Sequence, residues 1–451
     1  MHRSRFLISF LISFLLAAAS LLSAQSVSTL LTFKGNNGAD PLYVTFVQGR
    51  DGRLYGTTYS GGANDLGAVV KINLSDNNSI VLHSFSGTDG SNPGGGLTLA
   101  TNGSYYGTTV MGGAHGFGVL YSITSSGTLS VLHSFAGGSD GEYPYGPPIQ
   151  AVDGNFYGAT SGTPDSSDEA TIYKLTSTGA YSVIYTFNSS TTGVGVYGLV
   201  QGSDGLLYAV ANVGGANNCG TVVKLTIAGV LKESHGFSCS IGPHYPVAPP
   251  VLASNGTLYG TTPSGGAHGQ GTIYDISGLF GVNVLYSFTD IPGDGDNPNA
   301  GLVQANDGNL YGVTYYYSQV FSWNLAGTYT AYPGYVYGDT VANLMQDTNG
   351  LFYGVSGGNG GDGFVYSFDN GLSPFVAFVK SQGAIGATAQ ILGQGFTGST
   401  FVTFNGVPAS FTVDNDTYIT AAVPAGASTG PVVVTTPTAT LTSNKNFTVT
   451  E

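Results

Sequence analysis

The chain has 451 residues, of which 71 are glycine and only 8% are charged, and its formal net charge at pH 7 is -14. This length and glycine content are typical of a turn-rich β protein with more than one core. The acidic balance disfavours nucleic acid and anionic membranes as partners, because like charges repel each other.

Residues 1–24 have the pattern of an export signal. Arg3 and Arg5 precede an apolar run at 6–22, and the small pair Ser23-Ala24 follows it, which predicts cleavage after Ala24. An N-terminal transmembrane anchor is the alternative, since the run is at the short end of what spans a bilayer. No second run of that length follows. We therefore expect a mature chain without a membrane span, secreted or held at the cell surface.

A phrase of the form Asp/Asn-Gly-x-Leu-Tyr-Gly-Thr-Thr recurs about every 51 residues, with a shorter last spacing. Asp-Gly and Asn-Gly favour type I′ turns, so each phrase predicts a tight hairpin. In the second copy we expect strands at 97–101, 104–109, 118–124 and 129–135. Four antiparallel strands in each period are typical of a propeller blade, whereas a β-solenoid, the alternative, has shorter rungs. The copies are marked by Tyr55, Tyr106, Tyr157, Tyr208, Tyr259, Tyr311 and Tyr353.

The start of the mature chain supplies a strand that the last copy lacks. The fourth strand of a copy carries the phrase Val-Leu-His-Ser-Phe, but the seventh copy ends at Phe368 without it. Residues 29–33, Thr-Leu-Leu-Thr-Phe, match the phrase, and pairing there removes an open sheet edge. The sequence therefore predicts an all-β fold with a seven-bladed β-propeller at 27–371, closed by the strand at 29–33.

The two cysteines of the chain, Cys219 and Cys239, flank a predicted hairpin whose centre is Gly229. Antiparallel partners directly opposite each other lie within disulfide reach, and export supplies an oxidising compartment. The sequence predicts a disulfide, with two free thiols in a sheet as the alternative.

The repeats resemble a known family, the tandem GloVer repeats, whose signature is similar to Asp-Gly-x-Leu-Tyr-Gly-Thr-Thr followed by Gly-Gly and a Val-Tyr-Lys-like strand. The resemblance covers residues 29–370. It implies an exported protein of the choice-of-anchor type, presented at the cell surface, and it implies no particular activity. Copies three and six depart from the pattern in the loop after their second strand.

Residues 373–451 carry a different pattern. The segments Val-Thr-Phe-Asn-Gly at 402–406 and Gly-Pro-Val-Val-Val-Thr at 430–435 resemble the IPT/TIG domain. The alternation of side chains and the frequent Gly/Pro turns also favour a small sandwich on physical grounds. We expect an immunoglobulin-like β-sandwich here, and the resemblance implies a spacer or adhesion module.

The candidate site lies in loops on one face of the propeller. In a four-stranded blade, the loop between strands two and three emerges on the same face as the link to the next blade, and binding residues concentrate on such loops. Carboxylates next to exposed aromatic rings suit sugars, which offer hydroxyl groups and apolar C–H faces. Ordinary solvated turns are the alternative. The candidate binding residues are Tyr143, Tyr145, Asp165, Asp168, Glu169, Tyr315, Tyr316 and Tyr317.

The repeated histidines do not predict a metal site. His83, His133 and His235 share one repeat position, where Tyr185 and Tyr286 stand in other copies, and tyrosine rarely replaces a metal ligand. Residues 293–298, Gly-Asp-Gly-Asp-Asn-Pro, look like a calcium loop but lack the EF-hand spacing and match the recurring link between blades. We expect no cofactor and no metal, with calcium as a minor alternative, and no catalytic set is visible.

The sequence favours an exported, non-enzymatic binding or cell-surface protein that presents one propeller face to a glycan or another envelope component. One alternative is a propeller enzyme, a polysaccharide lyase or hydrolase acting in the central funnel. Another is a purely structural surface array without a small ligand. The pattern leaves the oligomeric state open.

Overall fold

The computed structural model describes residues 25–450 except 42, 163–168, 241, 278–280, 292, 316–318, 336–341 and 358–360. These residues form β-strands and a 3-10 helix at Gly138–Asp140. Within this described part, no helix has the length and apolar character needed to cross a bilayer. The described part of the chain is therefore all-β.

Residues 26–369 form seven four-stranded antiparallel sheets, one for each copy of the repeat. The first sheet contains β2 Val47–Gln48, β3 Leu54–Thr58, β4 Ala68–Asn73 and β5 Asn78–Ser84. The second contains β6 Thr98–Leu99, β7 Tyr105–Thr109, β8 Val119–Ile123 and β9 Leu129–Ser134. The third contains β10 Ile149–Gln150, β11 Phe156–Thr160, β12 Thr171–Leu175 and β13 Tyr181–Thr186. The fourth contains β14 Val194–Gln201, β15 Leu207–Val213, β16 Thr221–Leu225 and β17 Leu231–Gly236. The fifth contains β19 Val251–Leu252, β20 Leu258–Thr262, β22 Thr272–Ser277 and β23 Gly281–Ser287. The sixth contains β24 Val303–Gln304, β25 Leu310–Val313, β26 Gln319–Asn324 and β27 Thr328–Tyr335. A small extra pair is formed by β18 Pro243–His244 and β21 Ser264–Gly265.

The seventh sheet contains both ends of the repeat region. Its strands are β28 Met345–Gln346, β29 Phe352–Ser356, β30 Phe364–Asp369 and the N-terminal strand β1, Ser26–Thr32. β1 pairs antiparallel with β30 from Ser26 opposite Asp369 to Thr32 opposite Phe364. The edge of the last sheet is thus covered by the start of the chain.

The cores of these sheets form a closed cycle. Six buried hydrophobic clusters each lie between the sheets of neighbouring copies. A seventh joins the last copy to the first, where Tyr353 and Val365 pack with Leu54 and Val70. Gln48 adds a polar link at the same junction, because its Nε2 donates to Thr348 Oγ1 at 2.8 Å and its Oε1 accepts from the Thr348 N–H at 3.2 Å.

The repeated phrase has a structural explanation in all seven copies. The Asp or Asn of each tight turn forms a hydrogen bond with the hydroxyl of the tyrosine four residues later, at 2.7–3.0 Å. In five copies the glycine after that tyrosine makes room for a ring on the third strand, whereas Gly56 of the first copy faces Phe46 and the fourth copy has Ala209. At Gly158, which faces Tyr173, an added Cβ would lie 2.2 Å from the Tyr173 hydroxyl oxygen. The phrase therefore positions the second and third strands of each sheet.

Residues 376–450 form two packed sheets and a short parallel pair. One sheet contains β31 Ala377–Phe378, β33 Thr388–Leu392, β36 Phe411–Asn415 and β37 Tyr418–Ala422; the other contains β34 Phe401–Phe404, β35 Val407–Pro408, β38 Val432–Thr435 and β39 Thr440–Thr442; β32 Gln382–Ala384 pairs parallel with β40 Thr448–Thr450. Ile391 and Ile419 of the first sheet share one buried core with Val402 and Val434 of the second. We call this region the C-terminal unit.

The C-terminal unit packs on the end of the ring that carries the Asp/Asn-Gly turns. Its Leu392 and Tyr418 join a buried cluster with Tyr55 and Tyr105 of the ring. The Arg50 guanidinium lies 4.9 Å from the centre of the Tyr418 ring, and its Nη2 donates to Gln390 Oε1 at 2.9 Å. Apolar and polar contacts together make this a specific junction.

Candidate functional site

A cavity of about 670 Å³ lies on the axis of the cycle. Every one of the seven copies contributes to its lining, and the contributed segments lie at or just before the first strand of each sheet, except Tyr59, which follows the second strand β3. The Asp/Asn-Gly turns come directly after these first strands, and the C-terminal unit packs on the end of the ring that carries the turns. The cavity and the C-terminal unit are therefore at opposite ends of the ring.

One side of the cavity is aromatic. Tyr43, Tyr59, Tyr145 and Tyr197 line it and come from the first, third and fourth copies. The rings of Tyr145 and Tyr197 meet edge to face with their centroids 5.4 Å apart, and Tyr43 is 55% exposed. Burial raises the pKa of the Tyr145 and Tyr197 hydroxyls, so both stay uncharged at neutral pH. We call these four residues the tyrosine arc.

The second copy makes room for the arc. Its Gly94 stands where the first and third copies have Tyr43 and Tyr145. A Cβ on Gly94 would lie 3.1 Å from the Tyr145 ring and 2.6 Å from a methyl carbon of Val110. A larger side chain at this position would therefore clash with Val110 and press on the Tyr145 ring.

The other side of the cavity carries two amides, Asn299 of the sixth copy and Asn343 of the seventh. The Asn343 Oδ1 accepts a hydrogen bond from the Gly301 N–H at 2.5 Å, which fixes the orientation of the side chain. The remaining lining residues are threonine, glycine, proline and apolar side chains. Among the described lining residues there is no Asp, Glu, His, Lys, Arg or Cys. The cavity thus offers rings for packing and neutral groups for hydrogen bonding.

The structure separates the residues that the sequence grouped together. Tyr145 lines the cavity, but Tyr143 is outside the lining and packs edge to face on Phe117 with centroids 5.8 Å apart. Glu169 precedes β12 and Tyr315 follows β25, and neither is part of the lining. Four other candidates, Asp165, Asp168, Tyr316 and Tyr317, lie outside the described residues.

Sequence reasoning missed Tyr43, Tyr59, Tyr197, Asn299 and Asn343. A usable signal was present, because the residue twelve positions before a signature tyrosine is Tyr43, Gly94, Tyr145, Val247 or Asn299 in five of the copies. This position varies in size and polarity while the neighbouring phrase repeats. The fourth copy obscures the pattern, since its longer first strand contains a register shift between Val196 and Leu199.

Two of the three repeated histidines, His83 and His133, bond a carboxylate in the link to the next copy. His83 Nε2 lies 2.7 Å from Asp89 Oδ2, and His133 Nε2 lies 2.9 Å from Asp140 Oδ2. In the fifth copy the hydroxyl of Tyr286 donates to Asp294 in the same way. Histidine and tyrosine are interchangeable here because both bond a carboxylate in the following link.

The segment that resembles a calcium loop is used for internal contacts. The Asp294 carboxylate accepts from Tyr286 and from the Thr289 N–H, the latter at 2.7 Å. Burial raises the pKa of the Asp296 carboxyl, and the charge of Asp290 adds to this effect. Over the described residues, no group of three or more His, Cys, Asp or Glu side chains is arranged to hold a metal ion.

Cys219 and Cys239 form a disulfide with their Cα atoms 5.6 Å apart. The bond does not join two residues on the strands of the hairpin. Cys219 precedes β16 and Cys239 follows β17, so the bond lies beyond the last pair of the ladder, Thr221 opposite Gly236. A register shift between Lys224 and Leu225 moves the two strands away from a simple hairpin centred at Gly229.

Comparison with solved structures shows likeness of fold. A streptogramin B lyase structure is 12% identical with a TM-score of 0.54, and the match covers 76% of this chain and 97% of that one. Virginiamycin B lyase from Staphylococcus aureus is 13% identical with a TM-score of 0.54, covering 76% and 99%. Hydrazine synthase from Kuenenia stuttgartiensis is 13% identical with a TM-score of 0.52, covering 70% and 93%. At these identities the likeness is one of fold alone, and these matches make the repeat region propeller-like.

No curated protein matches the sequence. The Gloeobacter/Verrucomicrobia repeat matches residues 20–200 and 195–409, which together include all seven copies and the first part of the C-terminal unit. These tandem matches confirm the resemblance that the recurring phrase indicated. The chain therefore belongs to the Gloeobacter/Verrucomicrobia repeat family.

Proposed function

We propose that this protein is an exported, non-enzymatic binding protein that recognises a neutral glycan, or a similar uncharged envelope component, in the axial cavity. The observation that carries the proposal is the tyrosine arc facing two amides in a cavity whose described lining is uncharged. Sugars present an apolar C–H face that packs on aromatic rings and hydroxyl groups that bond amides. A volume of about 670 Å³ is in the range of small-molecule sites.

The lining supports binding over catalysis. Glycoside hydrolysis uses two carboxyl groups on either side of the bond that is cleaved, and elimination needs a positioned base. The described side chains of the cavity are tyrosines, amides, threonines and apolar groups instead. The high pKa of the buried tyrosines makes them poor bases at neutral pH.

The finer architecture is part of the same proposal. Seven four-stranded sheets with cyclic packing and an N-terminal strand in the last sheet support a seven-bladed β-propeller. Two packed sheets at the C-terminus support an immunoglobulin-like sandwich of the IPT/TIG type. With the leader at 1–24, this architecture suits a secreted or cell-surface protein of the choice-of-anchor type. Glu169 and Tyr315, in the loops after the second strands of copies three and six, are proposed to border the entrance.

The test is a glycan array probed with the mature chain, residues 25–451, with and without calcium. We expect binding to neutral glycans that does not depend on calcium. The double variant Y145A/Y197A should lose it, because truncation of a central aromatic contact costs about 2 kcal/mol or more, about thirtyfold in Kd. The triple variant Y315A/Y316A/Y317A tests the rim separately.

Phe401, which is 61% exposed on the C-terminal unit, provides the matched control, and F401A should bind as the wild type does. The absence of any glycan binding by the wild type, or equal binding by Y145A/Y197A, would contradict the proposal. Turnover of a polysaccharide on the array would favour the lyase or hydrolase alternative.

A further inference from the structure

The seventh copy has an ionisable residue at a position that is otherwise small. Asp347 follows the first strand of its sheet, and its backbone N–H donates to the Leu351 carbonyl at 2.9 Å. The other six copies make the same backbone hydrogen bond, so the position is structurally equivalent throughout. Asp347 is 0% exposed. Its counterparts are Gly49, Ala100, Ala151, Gly202, Ala253 and Ala305.

Asp347 lies where the last copy, the first copy and the C-terminal unit meet. Its Oδ2 accepts from the Asn349 N–H at 3.0 Å and from Gln394 Nε2, on the C-terminal unit, at 3.2 Å. Gln394 Nε2 also donates to Thr348 Oγ1 at 3.0 Å, the same oxygen that accepts from Gln48. Asp347 Oδ1 is buried and has no hydrogen-bond partner among the described residues.

The charged groups on the elements around Asp347 are engaged elsewhere. In the adjacent turn of the first copy, Arg53 pairs with Asp51 at 3.0 Å. Arg50 donates to the Thr101 carbonyl at 2.8 Å as well as to Gln390. On the C-terminal unit, Asp416 Oδ1 accepts from the Thr397 N–H at 3.1 Å. The neighbouring turn residues Thr348 and Asn349 are uncharged, and Tyr353 is neutral because burial raises its pKa to about 12.

The surroundings of Asp347 therefore favour the neutral carboxyl. Burial raises its pKa to about 7, although hydrogen bonds from Asn349, Thr348 and Gln394 lower it in part. In water the ordinary pKa of the group is 3.8. Burial of a carboxylate without a cation costs free energy. Separation of the C-terminal unit from the ring would remove Gln394 from Asp347 Oδ2 and let water take its place.

We propose that Asp347 makes the docking of the C-terminal unit on the ring dependent on pH, with the protonated carboxyl in the docked form. The docked state binds the proton more tightly than the separated state, since its pKa is the higher one. Docking is therefore strongest below pH 3.8, weakens as the pH rises towards 7, and is constant above that. Within this window the docking equilibrium falls by up to about tenfold for each pH unit.

The consequence is a surface that opens as the pH rises. Docking covers Tyr55 and Tyr105 and gives Arg50 Nη2 its bond to Gln390, so release would expose the turn end of the ring while the cavity at the other end stays intact. The proposal is independent of the ligand proposed for the cavity. It concerns how the C-terminal unit is held, whatever the cavity binds.

The repeat itself provides the test variants. D347A restores the residue of four other copies, so the ring should fold, and D347N keeps the shape without the charge. Hydrogen–deuterium exchange of the mature chain at pH 5 and pH 8, corrected for intrinsic rates, reports protection of the segments that contain Leu392 and Tyr418. We expect wild-type protection to fall at pH 8, and we expect the two variants to show equal protection at both pH values.

Small-angle scattering of the same samples provides a second readout, since separation of the two parts increases the radius of gyration. Equal wild-type protection and equal radius at pH 5 and pH 8 would overturn the proposal. It would also be overturned if D347N kept the pH dependence of the wild type. Exchange at β20, residues 258–262 of the fifth copy and away from the junction, is the internal control.

Discussion

The two ends of the ring are built on different principles. At the turn end, each of the seven copies uses the same pair, an Asp or Asn of the tight turn bonded to a tyrosine hydroxyl. At the cavity end, the equivalent residues change from copy to copy, as Tyr43, Gly94, Val247 and Asn299 show. The comparison teaches that the repeated residues maintain the ring, whereas the varying residues give the cavity its chemistry.

The links between copies show the same contrast on a smaller scale. In the first, second and fifth copies an Asp of the link accepts a hydrogen bond from His or Tyr on the fourth strand. In the fourth copy His235 has no such carboxylate after it in the sequence, and the link is held by the disulfide of Cys239 instead. One structural task is thus performed by hydrogen bonds in some copies and by a covalent bond in another.

Removal of β1 should have the largest effect, because this strand completes the last sheet and helps to join it to the first copy. A chain that starts at residue 34 loses Phe33, which is buried between the last and first copies, and leaves the edge of β30 open. Loss of one such aromatic side chain alone costs about 3–5 kcal/mol. We expect a chain that unfolds at lower denaturant concentration and associates, as measured by urea unfolding and size-exclusion chromatography.

The control for this truncation is a chain that starts at residue 25, which keeps β1 and lacks only residues 1–24. It should unfold in one cooperative transition for the ring. A chain starting at residue 34 with the same unfolding midpoint as this control would show that the N-terminal strand does not hold the ring together.

Loss of the disulfide should have a smaller effect. The bond closes a segment with a sequence separation of 20 residues, for which chain entropy predicts about 3 kcal/mol. The β16–β17 hairpin already holds the two ends close, so we expect the double variant C219S/C239S to lose about 2–3 kcal/mol. Urea unfolding of the oxidised wild type and the variant measures this difference. Mass measurement under non-reducing conditions checks the bond itself, and two free thiols in the wild-type protein would refute it.

The sequence predicts the repeated part of the molecule better than the site. The spacing of the signature tyrosines indicates seven units, and the structure has seven sheets, because each phrase encodes a local hairpin whose contacts lie within one copy. The cavity depends on residues such as Tyr43 and Asn343, which are 300 positions apart and meet only after the ring closes. Loop composition indicated Tyr145, but it also selected Tyr143, which packs on Phe117 instead.

The smallest predicted effects compare one tyrosine hydroxyl at the turn end of the ring with one at the cavity end. Tyr157 donates to Asp153 Oδ2 at 2.8 Å, so Y157F should cost about 1 kcal/mol of unfolding free energy. Tyr145 has no hydrogen-bond partner for its hydroxyl among the described residues, so Y145F should change stability by less than about 0.5 kcal/mol. Urea unfolding of both variants at pH 7 measures the difference, and the glycan array shows whether Y145F affects binding.

The Asp153–Tyr157 pair should also make the unfolding free energy depend on pH. Burial by itself would raise the pKa of Asp153, but hydrogen bonds from Asn155 and Tyr157 and the charge of Lys174 lower it below 3.8. Stability from this group is therefore present above pH 3.8 and is lost as the pH falls through the lower folded value. The gap between wild type and Y157F should shrink at pH 3, and a constant gap would mean that the hydroxyl acts through packing and not through the carboxylate. Asp347 has the opposite sign, because its folded pKa is raised, so acid should weaken the Asp153–Tyr157 pair while it strengthens the docking of the C-terminal unit.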